Sequence, residues 1–311
     1  MVCDRRQEFS QGNGRYILDV ITLAARACAC PRAPITLSRH AAANPPNARR
    51  RGVTRALALA LAGAWRPVAR ADDLPAVAAA ADLKFALGEI APRFRADTGH
   101  SVRVSFGSSG NFTQQIAQGA PFELFLSADE QYVFRLAGQG HTLDRGSLYA
   151  IGRVVLFAPR GSPLKVDSRL EGLKAALAEG RIRRFAIAHP GHAPYGRAAR
   201  AALQYAGLWP RIEPYLVLGE NAAQAAQFAA SGSSQGGILP LSLSKAPQVA
   251  ALGSFATIAA DWHADEPLRQ RMVLTRRAGA VARAFYDYLQ RPGARAILAR
   301  YGFALPGEPA Q

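Results

Sequence analysis

From Pro75 onward, short apolar runs alternate with longer stretches whose apolar positions recur at helical spacing. The strand-like runs are residues 76–81, 101–106, 124–127, 154–158, 184–188, 215–218, 236–239 and 271–275. Between 83 and 97, residues Leu83, Ala86, Leu87, Ile90, Ala91 and Phe94 share one helix face, and Gly99 supplies a C-terminal stop. Further helices are read over 130–136, around Ala198, Ala199, Ala202 and Leu203, over 222–230 and 280–290, and over 292–300, where Pro292 suits a first turn. Strands alternating with helices predict βαβ units, hence an α/β fold of parallel sheets with helices on their faces.

Two apolar segments, 149–157 and 269–275, read as crossings between two lobes. The first lobe then takes residues 74–153 and 269–311, and the second takes 154–268. Ligands of open α/β sheets bind beyond the carboxyl ends of the strands, which puts a site in the cleft between such lobes.

A chain of 311 residues, 49% of them hydrophobic, can bury a sizeable core. Its net charge is +16, yet residues 1–71 hold twelve Lys/Arg against three Asp/Glu and so supply +9 of it. In the remainder the arginines are spread along helical patterns, with no basic stripe interleaved with aromatics and no Cys/His finger spacing, so nucleic acid is not an expected partner. Cys3, Cys28 and Cys30 all precede residue 72, which removes cysteine catalysis and thiolate metal sites from the body of the chain.

Arg49-Arg50-Arg51, the Ala/Leu run over 56–65, Pro67 and Ala69-Arg70-Ala71 follow the order of a secretory signal, with cleavage expected near Ala71. The apolar run is too short to span a bilayer. Residues 1–50 show no amphipathic pattern, and translation is expected to start near Val53. Residues 1–71 thus read as a leader, and the mature chain as a periplasmic monomer.

Candidate chemistry concentrates where strands hand over to helices. A helix start offers unpaired amides and the positive end of the macrodipole, so it holds an oxyanion without a cation. Four junctions qualify: Ala81-Asp82-Leu83, Ser108-Ser109-Gly110-Asn111, Pro194-Tyr195-Gly196 and Gly219-Glu220-Asn221-Ala222. Asp82 also reads as an ordinary helix cap, and Tyr195 as either a cleft residue or a packing residue. The amides of Asn221 and Ala222 are expected to point into the cleft. His189 and His192 read as an exposed loop without the carboxylate a metal set needs. Ser127-Ala128-Asp129-Glu130 reads as the cap and start of the 130–136 helix. Gly107-Ser108-Ser109-Gly110 lacks the spacing of a nucleophile elbow, so no catalytic residue is assigned.

Taken together, Val77–Leu83 (Val-Ala-Ala-Ala-Ala-Asp-Leu), Ser105-Phe106-Gly107-Ser108-Ser109-Gly110, Gly119-Ala120-Pro121 with Leu124-Phe125-Leu126-Ser127-Ala128-Asp129, and the closing Arg300-Tyr301-Gly302-Phe303 resemble the periplasmic molybdate-binding proteins of ABC transporters. The resemblance implies a two-lobed periplasmic binding protein of type II that closes on molybdate or tungstate and delivers it to a membrane permease. It implies ligand positions at Asp82 and Ser109 in the first lobe and at Tyr195 and Ala222 in the second, with Ala81, Ser108 and Asn221 as neighbours. No cofactor or metal cation is implied, because molybdenum would bind as its oxyanion. The rival readings are a phosphate or sulfate binder on the same fold, and a secreted hydrolase using Ser109.

Two positions depart from the family pattern. Pro240 stands where some members carry a tyrosine, and Asp82 where relatives place serine or asparagine. A carboxylate against a dianion costs several kcal/mol at an effective dielectric of about 20. Asp82 can turn away and cap its own helix, it can be protonated, or the ligand can be a hydrogen-bearing anion; the first is the expectation.

Overall fold

A computed structural model describes residues 74–307. The expected leader and its cleavage site lie outside the described residues.

The chain first builds β1 (Ala76–Ala80), α1 (Lys84–Thr98), β2 (Arg103–Gly107), α2 (Ser109–Ala117), β3 (Phe122–Ser127), α3 (Glu130–Gly138) and β4 (Ser147–Ile151). It then passes into β5 (Val154–Pro159), α4 (Glu171–Ala178), β6 (Phe185–Ala188), α5 (Pro194–Tyr205), α6 (Trp209–Ile212), β7 (Leu216–Gly219), α7 (Ala222–Ala230), β8 (Gly236–Pro240), α8 (Leu241–Ser244), α9 (Pro247–Ala250) and β9 (Gly253–Thr257). It returns through β10 (Arg269–Leu274) to α10 (Ala280–Leu289) and α11 (Pro292–Arg300).

The strands form two five-stranded sheets, ordered β2-β1-β3-β10-β4 and β7-β6-β8-β5-β9. Within each, the βαβ strands are parallel: β1 lies between β2 and β3, and β6 between β7 and β8. The sheets are nevertheless mixed, which corrects the expectation of parallel sheets. β10 runs antiparallel to β3 and β4, and β5 antiparallel to β8 and β9. The reason is the crossings themselves: β5 and β10 enter their sheets from the opposite lobe and so run against the strands already there.

In the first lobe α1 lays Leu87, Ile90 and Phe94 onto β1, and the returning α10 and α11 add Phe285, Leu289, Ile297 and Leu298. Phe94 and Phe285 meet edge to face with ring centroids 4.9 Å apart, a geometry the ring quadrupoles favour. α1 stops at Gly99, whose φ of 75° is left-handed. β1 is all alanine and valine and fully buried, so helices on both faces can approach its backbone closely. The second core gathers Leu156, Phe157, Phe185, Ile187, Ala198, Ala202 and Leu203, and it includes Ala80 and Ala128 from the first lobe. The lobes are therefore in contact. Strands β1, β2, β6 and β7 all aim their carboxyl ends at that contact and hand over to helices there.

Candidate functional site

At each of the four junctions, one can ask which first-turn amides already have acceptors. In α2, Asn111 N–H reaches the Ser108 hydroxyl, Gly110 N–H the carbonyl of His192, and Phe112 N–H the carbonyl of Ser108, leaving Ser109. In α7, Ala223 and Gln224 N–H bond the side chain of Asn221 and Ala225 N–H its carbonyl, leaving Ala222. In α5, Pro194 has no N–H, while Gly196 and Arg197 donate to the carbonyl of Ala193, leaving Tyr195. After β1 the short 3-10 turn Ala81–Leu83 leaves Ala81 and Asp82. Among the described residues Ala81, Ser109, Tyr195 and Ala222 N–H bond no protein acceptor, while the Asp82 N–H lies against its own carboxyl, and all five residues line one cavity, with Ser108 and Ala128 beside them. That cavity is small, about 10 Å³, close to what one water needs. No lysine, arginine or histidine lines it. Asn221 lies outside its lining, its side chain committed to capping α7.

Side chains extend the donor set. Ser109 is fully buried, and its hydroxyl oxygen accepts from Ala128 N–H at 3.0 Å, so its own proton is free to point at a ligand. The Ser108 hydroxyl meets His192 Nδ1 at 3.0 Å. His192 is thus a partly buried bridge between the lobes rather than the exposed loop residue expected, because Gly110 and Ser108 both draw it in. Burial also lowers its pKa, against the charge of Glu220.

Asp82 departs from its expected role as well. Neither the 3-10 turn nor α1 is capped by a side chain. Instead Asp82 Oδ2 accepts from Gln270 Nε2 at 2.6 Å, while Oδ1 is buried without a hydrogen-bond partner. The Gln270 amide also donates to the Tyr195 hydroxyl at 3.1 Å, and its oxygen accepts from Tyr149 at 2.7 Å. Burial pushes the Asp82 carboxyl up to about 6, with hydrogen bonds from Gln270 and Tyr195 pulling the other way. Burial and the neighbouring Asp82 charge in turn hold the Tyr195 and Tyr149 phenols well above their ordinary range. Tyr195 therefore offers the cavity its backbone amide, and directs its hydroxyl to the crossing strands.

Three further ties span the cleft. Arg197 of α5 bonds Asp129 and, at 2.8 Å, the Tyr132 hydroxyl of the first lobe, while holding Glu266 of the second at 2.7 Å. Asn111 Nδ2 donates to Glu220 at 2.5 Å, and the Ser242 hydroxyl to the Asp82 carbonyl at 2.8 Å. Asp129 caps α3 through Gln131 N–H, as its position suggested, but its pairing with Arg197 was not readable. Burial outweighs that arginine and keeps the Asp129 carboxyl above its usual pKa. Gln270, Arg197 and His192 are the site residues that sequence reasoning missed. Only Gln270 had a signal, in that it sits on a crossing segment.

Helix starts from two lobes that converge on one cavity, with crossing strands beneath, define a solute-binding protein that holds its ligand between lobes. A family model described as bacterial extracellular solute-binding protein matches residues 75–304. The chain is 36% identical over 261 residues to the molybdate-binding protein ModA of Rhodobacter capsulatus, covering 83% of this chain and 97% of that one. It is 33% identical over 236 residues to ModA of Escherichia coli, covering 74% and 88%. The solved periplasmic molybdate-binding protein of Azotobacter vinelandii superposes with a TM-score of 0.68 at 32% identity, over 75% of this chain and all of that one. The chain belongs to the bacterial extracellular solute-binding proteins, and within them to the family of the ModA proteins. The sulfate-binding protein SubI of Mycobacterium tuberculosis, with a TM-score of 0.61 at 17% identity, shares the fold alone.

Proposed function

We propose that this chain captures molybdate or tungstate outside the cytoplasm and delivers it to an ABC permease. The observation that carries the reading is the unspent amides at four helix starts, two junctions from each lobe, around a cavity without a cation. Fixed dipoles of this kind stabilise a dianion without reorganising, and the Ser109 hydroxyl adds a donor. Contacts to both lobes then favour the closed form, which the permease reads. Selectivity over sulfate follows from the separation of the donors, since both anions are tetrahedral dianions. The ligand shell is Asp82, Ser109, Tyr195 and Ala222, with Ala81 and Ser108 adjoining. The protein acts as a periplasmic monomer after cleavage near Ala71, with no cofactor.

Hydrolysis is a poorer fit. Ser108, His192 and Glu220 do follow one another, with His192 Nε2 3.7 Å from Glu220. Yet Ser108 serves as the cap of α2, and its histidine belongs to the other lobe. Calorimetric titration with molybdate, tungstate, sulfate and phosphate tests the reading. Submicromolar binding of the first two without sulfate binding is expected; tighter binding of sulfate or phosphate, or turnover of an ester abolished by Ser108→Ala or Ser109→Ala, would refute it.

A further inference from the structure

Asp82 is 1% exposed and is among the residues lining the oxyanion cavity, and only one of its carboxyl oxygens is bonded by another side chain. A carboxylate is an acceptor on both oxygens, so an ionised Asp82 would present bare negative charge to an anion ringed by N–H and O–H donors. Its surroundings hold nothing to neutralise it. From β10 comes the neutral amide of Gln270, from α5 the Tyr195 phenol, from β4 the Tyr149 phenol, and from α8 the Ser242 hydroxyl on the Asp82 carbonyl. No charged side chain contributes to the shift of its pKa. Gln270 is anchored by Tyr149 on one side, and so its Nε2 faces Asp82 Oδ2 and leaves Oδ1 as the oxygen that can carry a proton.

Resting on the reading of this cavity as a molybdate site, we propose that Asp82 belongs to the ligand shell as a carboxylic acid, its Oδ1–H donating to a ligand oxygen, so that capture of the dianion takes up one proton. The reaction balances as carboxylate, proton and dianion giving a carboxylic acid hydrogen-bonded to the dianion, with nothing oxidised or reduced. Relatives with a neutral side chain at this position would bind without that uptake. The consequence is affinity that depends on pH even though the ligand itself does not change charge over the range. Burial already brings the free carboxyl to about 6, and an adjacent dianion moves it further up. Affinity is then level below that pH and falls about tenfold per unit above it, until the bound form also loses its proton.

The test is calorimetry of the full mature chain with molybdate and with phosphate between pH 5.5 and 8.5, in two buffers of different ionisation heat, for wild type and Asp82→Asn. The expected result for wild type at pH 8 is uptake of close to one proton per molybdate, with affinity weakening by an order of magnitude or more from pH 6 to pH 8. Asp82→Asn, whose amide donates without titrating, is expected to bind with no proton uptake and a level profile, and to surpass wild type at pH 8. The proton count is made on wild type, so it stands even if the variant folds poorly. Molybdate binding without proton uptake and with a level wild-type profile overturns the inference and leaves the molybdate reading intact. Phosphate bound more tightly than molybdate by wild type, and lost in Asp82→Asn, overturns both, since the carboxylate would then accept from a hydrogen-bearing anion. No molybdate binding by either protein at any pH also overturns both.

Discussion

Gly110→Ala separates closure of the lobes from stability of the fold. Gly110 is the second residue of α2, and its N–H donates to the carbonyl oxygen of His192 in the other lobe at 2.9 Å. A Cβ built there would lie 2.7 Å from that oxygen and 3.0 Å from the His192 Cα, inside the 3.4 Å where ordinary contact begins. The obstacle is backbone, so it cannot rotate away. His192 must retreat, and with it go the Gly110 bond and the contact between His192 and Ser108. Two hydrogen bonds of about 1 kcal/mol each, plus residual crowding, disfavour the closed form by about 2–3 kcal/mol. Molybdate affinity should therefore weaken roughly 30- to 150-fold. Within its own lobe the same methyl group is tolerated and removes a helix glycine, a gain of roughly 0.5–1 kcal/mol. Calorimetry should show the loss of affinity, while the urea midpoint of ligand-free protein holds or rises. Affinity within twofold of wild type would show that the contact between Gly110 and His192 is no part of the bound form; a fall in both quantities would show that the methyl disrupts the fold instead.

Other perturbations follow from the same geometry. Ser109→Ala removes a donor to the anion and strands Ala128 N–H; hydrogen bonds to charged groups contribute about 1.5–3 kcal/mol, so titration should find affinity roughly 10- to 150-fold weaker, and a change below twofold would remove Ser109 from the shell. Arg197→Ala deletes the link between Asp129, Tyr132 and Glu266 and should lower unfolding stability by about 2 kcal/mol. Because Asp129 is already raised by burial, that loss should be smaller at pH 5 than at pH 8 in denaturant titrations, and a loss independent of pH would contradict the assignment. In ligand-free protein the Asp82 pKa stands at about 6 against an ordinary 3.8, so the folded state holds this proton more tightly than the unfolded chain. The stabilisation is full below about pH 4 and is lost as pH rises through 6, a change on the order of 3 kcal/mol. Asp82→Asn lacks this dependence, so its stability relative to wild type should climb between pH 4 and pH 7; a constant difference would refute the burial argument.

Much of the architecture was legible because it is written locally. The four junctions could be found from a strand period giving way to a helix period, and the helix over 83–97 from one apolar face with a glycine stop. β4 and β9 were not read as strands. Residues 147–151 looked only like part of a crossing, and Gly253–Thr257 is a half-buried strand at the edge of its sheet with little apolar pattern. Strand direction was also hidden, since β5 and β10 carry the same apolar composition as the parallel strands they oppose.

The chain's own order of residues determined which amides would be surplus to local bonding: a cap at Ser108 or Asn221, and a proline at 194, consume or delete neighbouring donors and leave Ala222, Tyr195 and the pair Ser109 and Gly110, of which Gly110 is then taken by His192 of the other lobe. The caps are contacts over a few residues, set by backbone geometry. The tertiary structure alone decided what faces those amides. Asp82 meets Gln270 across 188 positions, Ser108 meets His192 across 84, and Arg197 reaches Asp129 across 68. Nothing local in the chain encodes such pairs, because they exist only once two separately packed cores bring their helix starts face to face.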